Sequence, residues 1–182
     1  MEGKPEGFAT KFYENGNKCY EGLWHLGKPS GKGIRYYSSG SIMYIGTYSN
    51  GRKNGKGIEF YSNGNINKQG IWVDDKLNGD IGIKKKEDGS LEYIGEWYKG
   101  NQHGFGKKFR TNSTVITRDQ VEQSNPNFQQ NSLEENINMD SKDINIYLFY
   151  IGQMVENSRK GNGRSYWSNG KINFEGKFNE KL

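Results

Sequence analysis

Few residues of this chain could do chemistry. Gly27-Lys28-Pro29-Ser30 has the glycine and lysine of a phosphate-cradling loop, but the full spacing G-x-x-x-x-G-K-[ST] is absent. Gly31-Lys32-Gly33 and Gly104-Phe105-Gly106 resemble part of a dinucleotide fingerprint, with no helix signal behind either for the glycines to open. The adjacent carboxylates Asp74-Asp75 and Glu134-Glu135 would point to opposite sides of a strand, so they imply no acid/base dyad. One cysteine, Cys19, and two histidines, His25 and His103, are too few for a thiolate–imidazole metal site, an internal disulfide or a recurring Ser-His-Asp arrangement. The expectation is a chain that is not an enzyme and uses no cofactor.

The elements that would position side chains follow from composition. The 182 residues include one alanine (Ala9) and seven leucines, against 26 glycines and the aromatics, 12 Tyr, 9 Phe and 4 Trp. The best helix formers are scarce and strand-favouring side chains abound, which excludes helical bundles and helix-rich α/β folds. With 31% hydrophobic residues and a mean hydropathy of −1.01, a two-layer core is not expected. No stretch approaches the roughly 20 apolar residues of a membrane span, and Met1-Glu2-Gly3-Lys4 does not lead into a signal-peptide core. A soluble, unexported, intracellular (cytoplasmic) protein is expected.

Internal periodicity is the main signal. Aligned on one glycine per unit, Gly22, Gly46, Gly70, Gly95, Gly152 and Gly176 are 24, 24, 25, 57 and 24 residues apart. The second unit shows the pattern without defects: Tyr44-Ile45-Gly46-Thr47-Tyr48, then Gly51, Gly55 and Gly57, then Phe60-Tyr61-Ser62-Asn63-Gly64. Five complete or interrupted units lie between two half-units, one at Gly3 to Ala9 and one at Phe174 to Phe178. Tyr-x-Gly-x-Trp alternates with period 2, which puts both rings and the glycine on one face of a strand and leaves room for a ring to lie across it. Asn15-Gly16, Ser39-Gly40, Asn63-Gly64, Asp88-Gly89 and Asn169-Gly170 read as two-residue hairpin loops with positive φ. The predicted fold is all-β, a single-layer twisted antiparallel meander of β-hairpins. About a dozen strands at roughly 4.8 Å each make a ribbon on the order of 60 Å long.

These residues resemble the membrane occupation and recognition nexus (MORN) repeats, whose motif Y-x-G-x-W-x-x-G-x-x-x-G-x-G matches Tyr20 to Gly33 and Tyr93 to Gly106. Met154 takes the Trp position, Asp75 and Asn157 replace the glycine five residues after the anchor, and Ile81 takes the glycine place before Gly82. The third hairpin is therefore expected to hold a bulge or a looser loop. The resemblance implies a non-enzymatic scaffold that binds other subunits of a multi-protein assembly. A cytoskeletal assembly such as a ciliary or flagellar axoneme, in the manner of radial-spoke MORN proteins, is the leading expectation. A peripheral membrane tether and an accessory subunit of an enzyme complex are the alternatives.

Three regions follow: a repeat ribbon over 1–110, an insertion over 111–146 and a second piece of ribbon over 147–182. The insertion lacks glycine, is rich in Asn and Gln, and carries Arg118 and Lys142 against six carboxylates; its net −4 leaves +9 on the repeats out of the total +5. It reads as an irregular solvated loop, with Ser132-Leu133-Glu134-Glu135 as a capping box for a short partner-docking helix. Any helix is expected between Thr111 and Asp143.

Three candidate surfaces stand out. The first is an aromatic face of Tyr20, Trp24, Tyr44, Tyr48, Trp72, Tyr93, Trp97, Tyr150 and Trp167, read as the core of the ribbon with some ring area left open for a peptide or helix. The second is a basic edge of Lys28, Arg52, Lys53, Lys76, Arg159 and Lys160 in the loops after the third motif position, suited to acidic proteins or anionic lipid. Nucleic acid is disfavoured because no element could enter a groove. The third is the terminal edge strand with Phe174, Gly176 and Phe178, expected to be covered by a partner strand or by a second copy joined end to end.

Overall fold

The computed structural model describes residues 3–112 and 145–179. It contains thirteen strands in one sheet: β1 Gly7–Phe12, β2 Lys18–His25, β3 Lys28–Tyr36, β4 Ile42–Ser49, β5 Arg52–Phe60, β6 Ile66–Val73, β7 Lys76–Leu77, β8 Gly79–Lys85, β9 Leu91–Tyr98, β10 Asn101–Asn112, β11 Asn145–Val155, β12 Ser158–Tyr166 and β13 Ile172–Phe178. Each strand pairs antiparallel with its sequence neighbour, except that the two-residue β7 pairs with β6 beside the main path. There is no helix among the described residues. The meander read from the repeat is thus the observed architecture. The capping-box helix and most of the insertion lie outside the described residues. The β10–β11 ladder takes in Thr111↔Ile146 and Asn112↔Asn145, the outer two residues at each end of the stretch assigned to the insertion.

The glycines explain the register. Ala9↔Gly22, Gly22↔Gly33, Gly33↔Gly46, Gly46↔Gly57 and Gly57↔Gly70 are directly opposed across successive strands. The row resumes through Gly82↔Gly95, Gly95↔Gly106, Gly106↔Gly152, Gly152↔Gly163 and Gly163↔Gly176. Each tyrosine two residues before a first-strand glycine lays its ring along this floor, and its hydroxyl donates to the carbonyl three residues on: Tyr20 to Leu23 (3.1 Å), Tyr93 to Glu96 (3.0 Å) and Tyr150 to Gln153 (2.8 Å). A Cβ at Gly46 would lie 2.5 Å from the Tyr44 hydroxyl. Glycine is required here because the ring occupies the space a side chain would need.

The turns differ from expectation. The loops with two positive-φ residues are on the other edge of the ribbon: Leu26-Gly27, Asn50-Gly51, Asp74-Asp75, Lys99-Gly100 and Glu156-Asn157. These have the backbone of a two-residue hairpin loop of type I′. Asp75 (φ 66°) and Asn157 (φ 69°) adopt the conformation of the glycines they replace, which a short polar side chain tolerates. The Asn-Gly turns are wider. In the first, Gly16 N–H donates to Tyr13 O and Tyr13 N–H to Asn17 O, a type I turn closed by a left-handed glycine. The signal was therefore right for a turn and wrong for its length, since both turn types recruit Asn and Gly.

Neighbouring turns are tied together. On one edge, Gly51 N–H donates to Pro29 O and Asn157 N–H to Gln102 O. On the other, Asn15 and Asn17 both donate Nδ2–H to Ser38 O, and Asn63 and Asn65 both donate to Glu87 O. Tyr13, Tyr37 and Tyr61 each donate their hydroxyl to a carbonyl one repeat ahead: Tyr36, Phe60 and Lys85.

The third hairpin carries the expected irregularity. Its extra residue splits the second strand into β7 and β8, and β8 rejoins β6 through Lys68↔Lys84 and Gln69↔Ile83. Lys68 stands where other units have the floor-covering tyrosine, and Leu77 Cδ1 fills the place, 3.1 Å from a Cβ built at Gly70. The irregularity has a polar consequence: Trp24 and Trp72 donate Nε1–H to Ala9 O (3.0 Å) and Gly57 O (3.1 Å), whereas Trp97 Nε1 is buried with no partner among the described residues.

Candidate interaction site

The rings form a zipper on one face. Trp24, Tyr20, Tyr48, Tyr44 and Trp72 follow one another edge to face, with centroids 5.1 to 5.6 Å apart, a geometry favoured by the aromatic quadrupole. The run pauses at the third unit and continues with Trp97–Tyr93, then Tyr150–Phe178–Phe174. Met154 joins the same cluster in the Trp position. Tyr20, Trp24, Tyr44, Tyr48, Trp72, Tyr93, Trp97 and Tyr150 are all buried, 9% exposed or less. Burial raises the phenol pKa of Tyr44, Tyr48 and Tyr93 well above its ordinary 10.0.

The expectation that part of the ring area stays open is corrected for these eight: edge-to-face stacking lets each ring cover its neighbour, and the glycine floor lets it sink into the sheet. Trp167 alone of the expected set is open, at 57%. It belongs to the β12–β13 turn, in the place of Tyr37 and Tyr61, outside the strands that carry the glycine row.

The basic edge is also dispersed. The six residues lie at the starts of strands rather than in loops. Lys53 turns onto the rings, 4.3 Å from the Trp72 centroid, and pairs with Glu59. Arg159 lies 5.3 Å from the Phe178 centroid and 5.2 Å from that of Phe149. Arg52 meets Asp74 at 3.5 Å. Lys28, Lys76 and Lys160 remain on the turn edge, with the Lys76 stem packed 3.6 Å from a Cβ built at Gly100. On the terminal strand, Phe178 is buried between Tyr150 and Phe174, while Phe174 is 46% exposed over Gly176, and among the described residues β13 is paired with β12 alone.

The open apolar surface is on the opposite face. Ile34↔Ile45 and Ile45↔Ile58 are consecutive cross-strand pairs beside the glycine row, with Ile71 and Ile81 one row over. They line a groove of about 960 Å³ whose floor is glycine backbone and whose outer walls include Phe8, Lys32 and Lys56. Ile45 and Ile71 are each 38% exposed, Ile81 46% and Phe8 69%. Farther along the same row Ile83 and Ile94 are buried with Leu91, against Phe109 and Ile146, so the open groove belongs to the first three hairpins. Sequence reasoning missed this face because an x position flanking a glycine carries no motif letter. The signal available was the recurrence of isoleucine: Ile34, Ile45, Ile58, Ile83, Ile94 and Ile151.

The residue after the first-strand glycine, on the same face, braces the register shift in the second, fourth and fifth hairpins. Glu96 Oε1 accepts from Phe105 N–H (2.8 Å) and Gln153 Oε1 accepts from Asn162 N–H (2.9 Å), and in the second unit the Thr47 hydroxyl donates to Asn54 O. Among the described residues no three His, Cys, Asp or Glu side chains are grouped to hold a metal ion. No helix of the described residues is long and apolar enough to cross a membrane.

A family model of the MORN repeat matches residues 20–42, 44–66, 93–115 and 150–172, half of the chain. Each match begins at a tyrosine that lies over the glycine floor, and the third hairpin, which has Lys68 in that place, is passed over. No curated protein matches the chain. Through this repeated tyrosine, glycine and tryptophan geometry the chain belongs to the MORN repeat family, a family of generally non-catalytic repeats that suggests a protein-interaction or membrane-binding role.

Proposed function

We propose that this protein is a non-enzymatic scaffold that binds another protein subunit in the isoleucine groove. One observation carries the reading: a stacked sheet whose ring face is closed on itself presents, on its other face, a row of part-exposed isoleucines over a glycine floor. A patch of this kind loses apolar hydration when a partner covers it, and the stacked turns hold it in shape before the partner arrives. The setting we favour is a large cytoskeletal assembly, with a ciliary or flagellar axoneme first among them, on the resemblance of Tyr20 to Gly33 and Tyr93 to Gly106 to the repeats of such scaffolds.

The test is an Ile45→Asp, Ile58→Asp variant of the full chain, tagged in its own cells. The expected result is an unchanged circular-dichroism spectrum with loss of co-sedimentation in a large complex and loss of axonemal localisation. Continued co-sedimentation of a folded variant would remove the groove from the interface. Co-sedimentation with anionic vesicles but with no protein complex would favour a membrane tether.

A further inference from the structure

The sequence lined up its cations along a turn edge, whereas the register lines up a different set. On the ring face, one row nearer the Asn-Gly turns than the glycines, Lys11, Arg35, Lys68, Lys84 and Lys108 lie on β1, β3, β6, β8 and β10. The ladder tyrosines Tyr20, Tyr44 and Tyr93 stand between them in the same row, with one carboxylate, Glu59, between Tyr44 and Lys68. Lys68 and Lys84 are directly opposed, an arrangement of like charges that destabilises a sheet unless something compensates it.

The carboxylate within the row, Glu59, and the one beside it, Glu92, are already engaged. Glu59 is held by Lys53 and by Asn67 Nδ2–H, and Glu92 by Lys84 at 2.8 Å. Among the described residues Lys11, Arg35 and Lys68 make no ion pair, Lys108 Nζ donates to Asn157 O (3.0 Å), and Arg110 beside the row is over the Phe149 ring, 3.6 Å from its centroid. Lys11, Arg35 and Arg110 are exposed.

We infer that this row is a docking track for an extended acidic polypeptide. From β1 to β10 the row crosses eight strand steps, roughly 38 Å at the usual strand spacing, which an extended chain of about a dozen residues would span. Lys11 and Arg35, and likewise Lys84 and Lys108, are two strands apart, ~10 Å, close to the distance between every third residue of an extended chain, and Arg35 and Lys68 are three strands apart. The track is one residue wide, with buried rings between the charges, so it fits a thin chain better than a planar bilayer surface. The inference does not depend on the isoleucine groove, which is on the other face.

The test is fluorescence anisotropy of a labelled twelve-residue poly-glutamate peptide with the full chain at low and moderate salt. An unlabelled single-stranded oligonucleotide of twelve nucleotides and phosphatidylserine vesicles serve as competitors. The expected result is peptide binding that weakens with salt, as screened contacts do, and that falls at least tenfold in Arg35→Glu, Lys68→Glu. Lys28→Glu, Lys160→Glu makes the same change in net charge on the turn edge and should stay within twofold of the parent. Arg35→Gln, Lys68→Gln should lie between, and thermal midpoints would establish that all variants are folded. Equal losses in the two glutamate pairs would reduce the effect to net charge and overturn the inference. So would no peptide binding at low salt, or tighter binding of oligonucleotide or vesicles than of peptide.

Discussion

Tyr44 and Ile45 are adjacent in the chain and point to opposite faces of β4; the tyrosine is fully buried and the isoleucine is 38% exposed. Alternation alone would give the two faces equal standing. What separates them is the length of the side chain relative to the glycine floor. A tyrosine reaches over Gly46 and Gly57 to the far side of its own strand pair, where rings of the next unit complete the cover. An isoleucine cannot reach past one strand, so its row stands beside the floor, and among the described residues no second layer lies above it in the first three hairpins. The face that stabilises the fold is thus closed, and the face left open is the one available to a partner.

The largest effect that would break this contrast is alkaline unfolding. Tyr44, Tyr48 and Tyr93 have folded pKa values above the unfolded 10.0 because burial disfavours the phenolate. Their stabilisation is complete below pH 10 and is lost as pH rises above it, because the unfolded chain releases protons that the folded chain retains. Phenolate absorbance and loss of strand circular dichroism should rise together above pH 10. Phenolate signal from most tyrosines in a still-folded protein would show the ring face to be open.

Tyr44→Ala, which empties the centre of the zipper, should lower stability by about 3–5 kcal/mol in urea unfolding, the range for large aromatics lost from a core. Gly46→Val acts on the same contact from the other side. Its Cβ would meet the Tyr44 hydroxyl at 2.5 Å and ring Cζ at 2.6 Å, and Gly46 lies outside the left-handed region, so the expected loss of ~1–3 kcal/mol is steric. Gly64 has open space around it and φ +91°, so Gly64→Ala reports backbone strain alone and should cost about 1 kcal/mol. Smallest of all, Ile45→Ala should change stability by less than about 1 kcal/mol, as surface substitutions do. A larger loss would mean that the isoleucine row has a cover.

Much of the fold was legible before any coordinates. The period-24 glycines, the Tyr-x-Gly-x-Trp alternation and the shortage of helix formers set a meander of hairpins, and the extra residue before Gly95 marked the irregular third unit. Local rules suffice for such features, because a strand's period and a turn's φ are properties of a few neighbouring residues. The site was legible only in part. Trp167 shares its residue type with Trp24 and Trp72 but not their register, so counting aromatics placed it in a ladder it does not join.

Residue order by itself determined that the chain would be one antiparallel sheet with rings and glycines on a common face. Only the tertiary structure decided which face was closed, because closure depends on how a ring of one repeat covers the ring of the next. Register likewise decided where charge gathers. Lys53 and Arg159 follow the same turn as Lys28 and Lys76 yet turn onto the rings, while Lys68 and Lys84 become neighbours by the same cross-strand register that sets Tyr20 against Arg35 and Tyr44 against Glu59. A cross-strand pair is fixed by hydrogen bonds between segments some sixteen residues apart in this case, and no reading of either segment alone contains it.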